Sequence, residues 1–196
     1  MEMVTQSDIE TMMSYVKQYK DTKYIEIEIR FGKINRDIFD TNIKKNNFDA
    51  IKKRLYKYKG WESVHQTEDE VYYWEKVRCI YNESDGTHKV QKKHKVFIQN
   101  FKSFPSDFRI AFSQEIPTTQ PEEDAKFSVT RKRTSFIRKN LSIDLTEVHG
   151  TPDDIDSEEV VSYQLEMEII DPSKLENDND IYNILYKIND LMKILP

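Results

Sequence analysis

Apolar and polar residues alternate along this chain with two different periods, and the change between them divides it into parts. Ile9, Met12, Met13 and Val16 recur at helical spacing behind a Ser7…Glu10 capping pair, which predicts a first helix. Asn47 as a cap, with Phe48, Ile51 and Leu55 on one stripe, predicts a second. Ile181, Ile184, Leu185, Ile188, Leu191 and Met192 predict a closing helix. Elsewhere the period is two. Residues 24–31 alternate strictly and stop at Gly32, and strand-like stretches follow at 61–66, 70–81, 88–99, 107–115, 126–138, 141–148 and 162–170. Turn-forming pieces at 82–86, 104–107 and 150–154 separate them, and the acidic runs 120–124 and 153–159 read as mobile loops.

The faces of these strands are unusual. Arg109, Ala111, Ser113 and Glu115 share one face, as do Arg131, Arg133 and Ser135, and Ser142, Asp144 and Thr146. Their opposite faces carry Phe108, Ile110 and Phe112, or Leu141, Ile143 and Leu145. One such strand is ordinarily a sheet with a solvated side. Five strands sharing the pattern, with charges of both signs, fit an inverted arrangement better. The expectation is an α+β domain over 1–196: an eight-stranded, mainly antiparallel β-barrel with a polar, charged lumen and the helices packed on its apolar outside.

The first and last strands carry the most specific signal. Glu26 and Glu28 alternate with isoleucines, and Glu166 and Glu168 alternate with Leu165, Met167 and Ile169. Four acids held on rigid backbone repel one another, so they imply a bound cation, and hard divalent ions take carboxylate oxygen. Arg30, Arg78, Arg109, Arg131 and Arg133, joined by Lys92 and Lys95, form a cationic set; guanidinium forks match phosphate oxygens. A lumen lined by both suits a polyphosphate with its metal. Ser135 lacks a nucleophile-elbow context and fits a hydrogen bond to phosphate or strand.

Absences narrow the chemistry further. With four glycines there is no phosphate-cradling glycine loop, and four histidines show no zinc-ligand spacing. A net charge of −5 argues against a generally basic nucleic-acid coat. Lone Cys79 excludes an internal disulfide and suits a reducing compartment. No apolar run reaches the ~20 residues of a membrane span and no signal-peptide stretch opens the chain, so a soluble intracellular protein is expected.

These residues together resemble the triphosphate tunnel metalloenzymes, and most closely the metal-dependent RNA 5′-triphosphatases of mRNA capping found in fungi, protozoa and large DNA viruses. The resemblance rests on residues 25–32, Arg131 to Phe136, Ser142 to Thr146 and Tyr163 to Ile169, and covers roughly 20–172. It implies Mg2+ or Mn2+ on Glu26, Glu28 and Glu168, with Glu166 orienting the attacking water. It also implies that Arg131, Arg133 and Arg78 grip the γ-phosphate, with Glu115 and Asp144 in support. Two positions depart from the family pattern: Arg131 stands where lysine is common, and Gln164 where a third glutamate is common. The implied reaction is hydrolysis of the γ-phosphate of 5′-triphosphate RNA. Partners would be the RNA end and a guanylyltransferase domain or subunit, the chain being compatible with the first part of a longer capping enzyme. A tripolyphosphatase or nucleoside triphosphatase on the same scaffold, and a non-catalytic barrel binding RNA ends or a partner, are the competing expectations.

Overall fold

The computed structural model describes residues 4–150 and 161–196, so the expected acidic loop at 153–159 and most of the turn at 150–154 lie outside the described residues. The strands are β1 (Ile25–Asn35), β2 (Ile38–Asp40), β3 (Ser63–Tyr73), β4 (Val77–Asn82), β5 (His88–Phe101), β6 (Asp107–Pro117), β7 (Phe127–Arg138), β8 (Leu141–His149) and β9 (Val161–Ile169). They form one sheet in the order β2-β1-β6-β5-β4-β3-β7-β8-β9, and β1 also pairs with β9, which closes eight antiparallel strands into a barrel. The expected architecture is therefore present, with β2 as an addition.

That addition arises at Gly32, which the chain passes through rather than ending on. A Cβ at Gly32 would lie 2.1 Å from the Asp40 carbonyl oxygen, so only glycine lets β2 return so closely. Arg36 and Asp37, both at positive φ, make the two-residue turn between β1 and β2. The expected strands at 61–66 and 70–81 also divide differently. β3 is continuous through Thr67, Glu68 and Asp69, and the break comes after Tyr73.

Four helices pack outside: α1 (Gln6–Tyr19), α2 (Lys45–Lys57), α3 (Asp178–Leu185) and α4 (Lys187–Ile194). α1 is capped by Thr5 and Asp8, each side chain accepting from the other's backbone N–H, two positions before the expected Ser7 and Glu10. Asn47 lies inside α2, whose start is set by Lys44 at φ 69 with no side-chain cap. The expected closing helix is split at Tyr186 into α3 and α4.

The core lies between these helices and the barrel's outer face. Ile27, Ile29 and Phe31 of β1, Phe108, Ile110 and Phe112 of β6, and Leu165, Met167 and Ile169 of β9 are buried with Ile9, Met12, Val16, Phe48, Ile51, Leu185 and Ile188 of the helices. Burying a side chain of this kind stabilises by about 1.5–3 kcal/mol. Alternation then turns the intervening residues, Glu28 and Glu166 among them, into the lumen, where they too are buried.

Candidate active site: a charged lumen

Strand pairing across the β1–β9 seam brings the two acidic rows side by side. Glu28 stands opposite Glu168 and Arg30 opposite Glu166, and on β8 Asp144 lies opposite Glu166 and Ser142 opposite Glu168. Arg30 Nη2 is 3.1 Å from Glu28 Oε1, and its Nε is 3.0 Å from Glu166 Oε1 in an ion pair without hydrogen-bond geometry. Arg133 reaches Asp144 Oδ2 and Glu166 Oε2, each at 3.5 Å, while its Nε donates to Thr146 Oγ1 at 3.1 Å. Ser142 Oγ donates to Asp144 Oδ1 at 2.6 Å. These bonds fix Arg133 between two acids and aim its remaining N–H groups into the tunnel.

The opposite wall is basic. Arg78 bonds Glu115, and Lys93 bonds Glu26 while lying 3.8 Å from Glu28 Oε1 and 3.7 Å from Glu115 Oε1. Ser113 Oγ also donates to Glu26, at 2.7 Å. Arg131 faces Asp69 at 3.9 Å. Arg109 lies opposite Arg30, donates to Asn100 Oδ1 at 2.7 Å and stacks over Phe39 at 4.6 Å. Ser135 is opposite Asp144, and Gln164 donates weakly to Ser162 Oγ at 3.5 Å.

Fourteen of the fifteen expected residues thus share the lumen face by register, and one correction concerns β5. Lys92 is exposed on the outer face, opposite Val77 and Ile116. Lys95 lies opposite Ser113 and so keeps to the lumen side, but at the edge of a β-bulge it is exposed and no ion pair joins it to the site among the described residues. The residue that enters is Lys93. Counting alternation back from outward-facing Phe97 sends even-numbered residues inward, but the bulge between Lys95 and Phe97 reverses the phase. The signal was present as three successive apolar residues, Val96, Phe97 and Ile98, which break the period of two.

The carboxylates differ in their electrostatics. Burial pushes Glu26 up, but the Lys93 ammonium, the Ser113 hydroxyl and Arg78 outweigh it and hold its pKa down at about 2. Burial also opposes ionisation of Glu166, yet Arg30 and Arg133 bring its pKa below the usual carboxylate range. Glu28 is raised, because burial and the neighbouring Glu166 and Glu26 exceed what Arg30 supplies. Glu168 is raised to about 8 by burial, Glu26 and Asp144, against partial relief from Arg133. Glu168 makes no hydrogen bond or ion pair among the described residues, so it is an oxygen donor whose charge lacks a close partner.

Glu26, Glu28 and Glu168 fit a hard divalent ion in the kind of donor they offer, with oxygen only and net negative charge. Among the described residues, no group of three or more His, Cys, Asp or Glu stands arranged to hold one, and Lys93 and Arg30 engage Glu26 and Glu28. Lys93 here stands in for a cation between Glu26, Glu28 and Glu115.

A family model described as mRNA capping enzyme, beta chain matches residues 39–195. The chain belongs to that family. The match begins after β1, so the placement of Glu26 and Glu28 rests on barrel closure. The fold is that of the S. pombe Pct1 RNA triphosphatase, with a TM-score of 0.81 at 14% identity over 98% of this chain and 94% of that one. The RNA triphosphatase domain of the mimivirus mRNA capping enzyme also matches, with a TM-score of 0.66 at 16% identity over 100% and 99% of the two chains. No curated protein matches in sequence. The fold is thus the triphosphate tunnel, and the chain is a member of the capping-type RNA triphosphatases.

Proposed function

We propose that this protein removes the γ-phosphate from 5′-triphosphate RNA, leaving a 5′-diphosphate end for guanylyl transfer. The observation that carries this reading is the pairing of Glu28 with Glu168 and of Arg30 with Glu166 across the barrel seam, inside a lumen whose other wall is Arg78, Lys93 and Arg131. A divalent ion, Mg2+ or Mn2+, held by Glu26, Glu28 and Glu168 would place positive charge against the phosphate oxygens. Arg133, fixed by Asp144, Thr146 and Glu166, meets the terminal phosphate from the side, and Arg131 and Arg78 extend that grip. Arg30, Arg109 and Ser135 line the same passage.

Glu166 remains ionised because two guanidiniums flank it, and in that form it accepts a hydrogen bond from water and orients it for in-line attack. The water oxygen bonds to the γ-phosphorus, the bond to the β-phosphate oxygen breaks with its electron pair left on the diphosphate, and a water proton is released to solvent, giving orthophosphate and a diphosphate end. Positioning and electrostatics supply the acceleration, with no covalent intermediate. Glu115 and Asp144 act by holding Arg78 and Arg133 in place.

A guanylyltransferase, on the same polypeptide or as a partner, would consume the product. The S. pombe Pct1 RNA triphosphatase has been solved with the Spt5 CTD, which supports partner binding by this fold. The test is phosphate release from triphosphate-ended RNA, ATP and inorganic tripolyphosphate across a Mg2+ and Mn2+ series. Release from tripolyphosphate or ATP with none from RNA would replace the capping assignment with a small-molecule triphosphatase. Background rates with every substrate and metal would leave a binding barrel.

A further inference from the structure

Gln91 on β5 is fully enclosed, at 0% exposure, and neither its amide nitrogen nor its carbonyl oxygen has a hydrogen-bond partner among the described residues. Leaving such a group unsatisfied carries a desolvation cost that an apolar side chain of similar size would avoid. Its register fixes its direction. It lies opposite Arg78 and two residues from Lys93, both on the lumen face. The Nε atoms of Arg78 and Arg131 are also buried without hydrogen bonds. Beyond the Glu115 and Asp69 carboxylates that Arg78 and Arg131 already face, the groups left unbonded on this wall are therefore the amide N–H groups and two guanidinium N–H groups against a single amide carbonyl. A surplus of donors matches an acceptor-rich anion.

The position along the tunnel identifies which part of the anion. On β6, Ser113 stands opposite Glu26, Glu115 stands opposite Lys93, and Pro117 stands opposite Gln91. Gln91 is thus one inward-facing step beyond Lys93, about 7 Å further from the carboxylates. A phosphate held there is not the terminal one beside Glu26 and Glu28. We propose that the Gln91 amide donates to a non-bridging oxygen of the penultimate phosphate, the leaving group of the hydrolysis. This rests on the polyphosphate reading above. A neutral amide orients that group without the added charge that would retain the diphosphate product.

The test uses the full chain with Mg2+, comparing wild type, Gln91→Leu and the near-isosteric Gln91→Met. Thermal-shift titrations with pyrophosphate and orthophosphate measure binding, and kcat/KM on tripolyphosphate measures turnover. Both variants should bind pyrophosphate about tenfold more weakly and lose about tenfold in kcat/KM. They should bind orthophosphate as wild type does and melt no lower without phosphate. Wild-type pyrophosphate affinity in either folded variant overturns the assignment, as does an equal loss for orthophosphate. The two readings fail separately: no turnover by wild type, with pyrophosphate binding intact and lost in the variants, sinks the hydrolase and keeps Gln91. Normal turnover with unchanged variants does the reverse.

Discussion

The barrel has two unlike walls. Behind the acidic wall, β1 and β9, the outward residues Ile27, Ile29, Phe31, Leu165, Met167 and Ile169 are at most 1% exposed beneath the helices. Behind the basic wall, at β3, β4 and the first half of β5, Val64, Tyr81, His88 and Lys92 face outward and are exposed, although Cys79 on the same face is covered. The difference follows from what each wall must hold. Like-charged carboxylates on short stems relax by moving the backbone, so keeping Glu28 beside Glu168 requires strands pinned by packing. Arginine and lysine reach inward on long stems and tolerate a looser mount.

Four substitutions probe this contrast, from the largest effect to the smallest. Phe31→Ala, in the pinned wall, should cost about 3–5 kcal/mol in denaturant unfolding; a loss below 1 kcal/mol would mean the helices do not brace β1. Glu168→Gln should do the opposite to stability in metal-free protein. Because the folded pKa of Glu168 lies near 8, above its ordinary value of 4.5, its own contribution to stability is full below pH 4.5 and is lost as pH rises through 8. Removing the carboxylate should abolish that decline and raise stability near pH 8 by about 4 kcal/mol, read as melting temperature in chelator at pH 5 and pH 8. A parallel fall in both proteins would contradict it. Glu26→Ala should lower turnover at least about 100-fold while the protein stays folded, and near-normal phosphate release would refute the site assignment. Tyr81→Thr, on the unbraced wall, should change stability by no more than about 0.5 kcal/mol, and a shift of several degrees would show that wall to be braced as well.

Much of this was legible in the sequence, for definable reasons. The inverted barrel showed because polar residues recurred at period two on strands whose other face was wholly apolar, as at Ser142, Asp144 and Thr146. Helices showed through Ile9, Met12 and Val16 or Phe48, Ile51 and Leu55, all of which are buried. Misses fell where local chemistry competed with tertiary context. Glu68 and Asp69 looked like a strand break, but Asp69 is a lumen residue facing Arg131. The β1–β2 turn carries Arg36-Asp37 rather than a glycine pair, so its hairpin was silent. Thr5 outcompeted Ser7 as a cap, a choice that two neighbouring hydroxyl residues leave open. Gln91 gave no sign, since an uncharged amide reads as surface until its enclosure is known.

The bulge on β5 has an outcome for how this strand can change. It lets a single ribbon supply an ammonium to the inside at Lys93 and a ring to the outside at Phe97, where Tyr15 and Tyr19 receive it. Deleting Val96 would make Lys95 and Phe97 neighbours on a regular ladder, so the bulge would vanish while Lys93 stayed inward and Phe97 outward. Losing this residue would turn no side chain from one face to the other, whereas losing a paired residue of β5 would turn over every position on one side of the gap.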